Sequence, residues 1–89
     1  MNVSEWLVRT ARRCPEAPAL MLGEQVVANY GQFAGRAARI GAMLRQAHGI
    51  EPGDRVAIFM KNCPDYLALL YGIWFCGAVA VPINAKLHA

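Results

Sequence analysis

Cys14, Cys63, Cys76, His48 and His88 are the side chains of this 89-residue sequence best suited to hold a metal or attack a substrate, and their spacing favours neither. No two cysteines form a CxxC pair, and no His stands at metal-ligand spacing. Three cysteines are an odd number, so buried or half-buried thiols in a reducing compartment are expected, and with them a cytoplasmic location. Cys63 stands at a predicted helix start, where a thiol pKa can fall, but no base accompanies it. His48 falls at a predicted helix end, where an imidazolium meets favourable partial charge. His88 lies in the tail with nothing near it in sequence. Lys61 and Asn62 follow a predicted strand, at the edge where α/β folds bind ligands. Asn62 also has the N-cap spacing to Asp65, and that role is preferred. No residue is therefore expected to be catalytic, cofactor-binding or metal-binding.

Charge narrows the field further. The formal net charge is +3, and the arginines fall in two groups, Arg9, Arg12, Arg13 and Arg36, Arg39, Arg45. Each group lies on the polar side of a helical pattern, without the interleaved aromatics of a nucleic-acid footprint. Solvated helix faces account for them, and nucleic acid is excluded as a partner. The N-terminal MNVSEWLVRT has no basic stretch followed by an apolar one, so no secretory signal is expected.

The elements that would position these side chains can be read in order. Asn2 and Glu5 have the spacing of a reciprocal helix cap, and Pro15 closes the segment. Trp6, Leu7, Thr10, Ala11 and Cys14 should form its inner side. PALML and QVVAN, separated by Gly23-Glu24, predict a β-hairpin. Asn29 with Gln32 is a second capping-box spacing, and Phe33, Ala37, Ile40, Leu44 and Ala47 form a core stripe ending at His48-Gly49. Ala34, Ala38 and Gly41 beside that stripe allow close approach of another element. Glu51-Pro52-Gly53-Asp54 suits a type II turn, and RVAIFM reads as a buried strand.

From Tyr66 to Ala85 no side chain is charged, and that length could cross a membrane as a helix. Gly77 in the middle, the Ala/Val alternation after it and Pro82 near the end argue otherwise. The preferred reading is strand 55–60, helix 64–76 and strand 78–82, a parallel βαβ unit with a buried crossover helix and no transmembrane segment. The fold class is then α/β: a capped N-terminal helix, a β-hairpin, a helix and the βαβ unit. Hydrophobic residues make up 56 % of the chain, above the usual share of about 45–50 %. A small domain buries only roughly 60–65 % of its unfolded surface. So much apolar surface suggests part of a larger domain.

The joints between these elements resemble the adenylate-forming (AMP-binding) superfamily, and within it the acyl-CoA and aryl-CoA synthetases. The resemblance is carried by Pro15 with Pro18-Ala19-Leu20, by Asn29-Tyr30-Gly31-Gln32, and by Gly49-Ile50-Glu51-Pro52-Gly53-Asp54 with Val56-Ala57-Ile58. It continues in Asn62 with Asp65-Tyr66 and in Gly77-Ala78 with Val81-Pro82-Ile83-Asn84, and covers Asn2 to Leu87. Asn29 stands where the family usually has Ser or Thr, and Gln32 where it often has Glu; both keep cap chemistry. Asn84, where amino-acid-activating modules more often carry Asp, favours a carboxylic-acid:CoA ligase.

The resemblance implies a two-step reaction. An acid and Mg-ATP give an acyl-adenylate and pyrophosphate, and coenzyme A then displaces AMP to form the thioester. ATP, Mg2+ and coenzyme A belong to a full-length parent, and none is expected to bind here. The Ser/Thr/Gly-rich phosphate loop with its Lys is not in these residues, which hold one Ser and one Thr. Residues 1–89 are thus expected to be the first part of an AMP-binding domain, cut before the catalytic motifs. That segment is inactive alone, and its partner is the remainder of its own domain. Fatty, aryl and short-chain acids all stay open as substrates, and fatty acid metabolism is one setting. The alternative is a non-catalytic remnant that binds a partner through helix 64–76.

Overall fold

A reciprocal cap begins the longest helix among the described residues. In the computed structural model, which describes residues 4–59 and 64–83, the Asn29 side chain accepts from the Gln32 amide at 2.8 Å. The Gln32 side chain accepts from the Asn29 amide at 2.9 Å. Helix α2 (Tyr30–His48) follows, and Gly49 ends it in the left-handed conformation at φ 64°. The Ile50 amide closes back to the Leu44 carbonyl at 3.1 Å, an acceptor it shares with the Gly49 amide.

Before α2 come α1 (Ser4–Arg13) and a hairpin of β1 (Pro18–Leu22) and β2 (Gln25–Asn29). The hairpin is antiparallel, Leu22 pairs with Gln25, and Gly23 at φ 62° makes the two-residue turn possible. After α2 come β3 (Arg55–Phe59), α3 (Pro64–Phe75) and β4 (Val79–Ile83). β3 and β4 pair in parallel, in register from Arg55 opposite Val79 to Phe59 opposite Ile83. The βαβ unit is therefore as predicted, with α3 one residue shorter and β4 displaced by one. The caps expected at Asn2 and Asn62 lie outside the described residues.

Two turns lock this unit together. Glu51–Asp54 closes through the Asp54 amide on the Glu51 carbonyl at 3.0 Å, with Gly53 at φ 89° as a type II turn requires. The Gly53 amide then donates to the Gly77 carbonyl at 3.0 Å, and the Val79 amide to the Asp54 carbonyl at 2.7 Å. Gly77, at φ 75°, ends α3 where a side chain would be strained and would also crowd Pro52. So the entry to β3 and the exit from α3 are tied to each other.

The core forms two adjoining groups. Leu7, Leu20, Phe33, Ala37 and Ala68 join α1, the hairpin, α2 and α3. Leu44, Ile58, Ile73, Cys76 and Ala78 join α2 to the parallel sheet. Gly41 and Gly72 let α2 and α3 touch backbone to backbone: a Cβ built on Gly41 would lie 3.0 Å from the Gly72 carbonyl. Among the described residues no helix is long and apolar enough to cross a membrane.

Three expectations about burial need correction. Cys14 is exposed because it lies just past the end of α1, and Trp6 is 49 % exposed although its ring meets Tyr30 edge-on at 6.3 Å, Leu7 being the residue of α1 that is completely buried. Ala47 is exposed because α2 runs past the end of α3, whose last residues meet it at Gly41 and Arg45. β3 is buried on one face only: Ile58 is enclosed and Val56 half-buried, while Ala57 and Phe59 are exposed.

Candidate functional site

Parallel pairing places the carboxyl ends of β3 and β4 side by side, with Phe59 opposite Ile83. In α/β proteins this edge is where ligands bind. Lys61 and Asn62, which follow β3 in sequence, lie outside the described residues, as do Cys63, Asn84 and His88. Asp65 in the first turn of α3 is described, and its carboxylate meets Arg36 of α2 at 2.6 Å. Both side chains are more than half exposed, and a surface pair of this kind contributes about 0–1 kcal/mol. The pair helps fix where α3 starts against α2.

Cys76 and Tyr71 sit within the packed parts of the fold. Cys76 is buried, and its thiol donates to the Gly41 carbonyl at 3.0 Å, filling the space the two glycines leave at the helix crossing. Tyr71 packs edge-on against Phe33 at 5.2 Å and against Trp74 at 5.0 Å. Burial raises its pKa above the ordinary 10.0, and the neighbouring Tyr30 adds to the rise. His48 is exposed in the last turn of α2, beside Arg45, where cations favour the helix dipole. Arg45 also donates to the Phe75 carbonyl at 3.4 Å, at the end of α3.

All six grouped arginines are exposed, as a solvated helix face requires. Arg9 and Arg12 line an open groove of about 480 Å3 together with Ser4, Glu5, Val8 and Phe75. Among the described residues, no group of three or more His, Cys, Asp or Glu could hold a metal ion.

What composition reasoning missed is the far face of the parallel sheet. Residues two apart in a strand share a face. Val56, Ile58 and Ala80 turn toward the helices. Arg55, Ala57, Phe59, Val79, Val81 and Ile83 occupy the other side, where Phe59 is 55 %, Val79 49 %, Val81 38 % and Ile83 36 % exposed. The alternation in RVAIF and VAVPI carries this signal. It is easily passed over because both faces are apolar.

Comparison with known proteins gives this geometry a setting. A family model described as AMP-binding enzyme matches residues 7–89. A feruloyl-CoA synthase from an Amycolatopsis species is 41% identical over 86 residues, covering 97% of this chain and 17% of that protein. The long-chain-fatty-acid–CoA ligase FadD13 of Mycobacterium tuberculosis is 39% identical over 88 residues, covering 94% of this chain and 17% of the ligase. The crystal structure of the N-terminal domain of FACL13 from Mycobacterium tuberculosis superposes with a TM-score of 0.87 at 37% identity. That match covers 97% of this chain and 22% of that domain. The chain thus spans about a sixth of the curated relatives.

Proposed function

Since the chain belongs to the AMP-binding enzyme family, we propose that it is the opening scaffold segment of an ATP-dependent carboxylic-acid:CoA ligase and is inactive alone. The observation that carries this reading is the match across residues 7–89, set beside relatives of which the chain covers only 17%. In the parent, the acid would attack the α-phosphorus of ATP and release pyrophosphate. Coenzyme A would then displace AMP. Charge building on the phosphoryl oxygens must be met by aligned cations and amide donors. On this reading the part of residues 1–89 is to hold the βαβ unit on which other segments assemble. ATP, Mg2+ and coenzyme A are assigned to the parent, and its setting is cytoplasmic.

The test is acid-dependent ATP–pyrophosphate exchange by the intact parent, followed by CoA-thioester formation. The acids to try include feruloyl-type aryl acids, long-chain fatty acids and free amino acids. Exchange with aryl or fatty acids, completed by thioester formation, supports the ligase. Exchange with amino acids and no thioester would overturn it.

A further inference from the structure

No further inference is drawn: the strongest candidate, the open groove between α1 and the end of α3 lined by Val8, Arg9, Arg12 and Phe75, carries nothing, because both arginines are exposed and nothing in the structure shows what covers it.

Discussion

The contact between Gly72 and Ile40 makes a quantitative prediction about how the two long helices are held. A Cβ at Gly72 would lie 2.5 Å from Ile40 Cγ2, 2.8 Å from Ile40 Cβ and 3.1 Å from the Ala37 carbonyl oxygen. Non-bonded carbons settle at about 3.5–4.0 Å, so Gly72→Ala must part α2 and α3 by roughly 1 Å. Ile40 cannot turn away, because its own Cβ is in the overlap and its χ1 is stiff in a helix. Overpacking of this kind costs about 1–3 kcal/mol, here toward the upper end because backbone and a branched carbon are both involved. Exchanging Gly for Ala inside a helix offsets roughly 1 kcal/mol of that. The net loss is then about 1–2 kcal/mol, or roughly 4–16 °C in Tm for a domain of this size.

Gly35→Ala is the matched control. A Cβ there meets only the far end of the Arg39 side chain, at 3.4 Å. The same exchange should stabilise by about 0.5–1 kcal/mol. Urea and thermal unfolding followed by circular dichroism measure both. A Gly72→Ala chain as stable as the unchanged protein would refute the close-crossing explanation, as would equal losses at the two positions.

Asn29→Ala removes one half of the cap on α2 and should cost about 1 kcal/mol in urea unfolding, with Asn29→Asp retaining most of it. In a Cys63→Ser background, Cys14 should react with a thiol reagent at the rate of an open thiol. Cys76 should react only at the rate of unfolding, which stopped-flow labelling distinguishes. Because burial raises the Tyr71 pKa above 10.0, its contribution to stability is fully present below that value. It is lost as pH rises through the higher folded-state value. Tm should therefore fall more steeply above about pH 10 in the unchanged protein than in Tyr71→Phe.

Local chemistry made much of the fold legible. Asn29 with Gln32, Gly23-Glu24, Glu51–Asp54 and Gly77 each specify a turn or cap through bonds made within a few residues, and each falls where its residue types require. The parallel βαβ unit was legible because Gly77 and Pro82 break what would otherwise be one long apolar helix. Burial was harder to read where it depends on what another element covers. Cys14 and Ala47 keep helical phase with the core but lie beyond the stretch where a neighbour packs. β3 reads as buried on both sides, and one side is open among the described residues. The candidate site was the least legible part: Lys61 and Asn62 fall outside the described residues, and the far sheet face has no polar marker to draw attention to it.

The most direct test of the scaffold account is acid-dependent ATP–pyrophosphate exchange in three samples: the 89-residue chain, the remainder of the parent, and the two mixed. The account predicts exchange in the mixture and none from the chain alone. Exchange by the chain alone would contradict it. So would exchange by the remainder at the full rate of the intact parent.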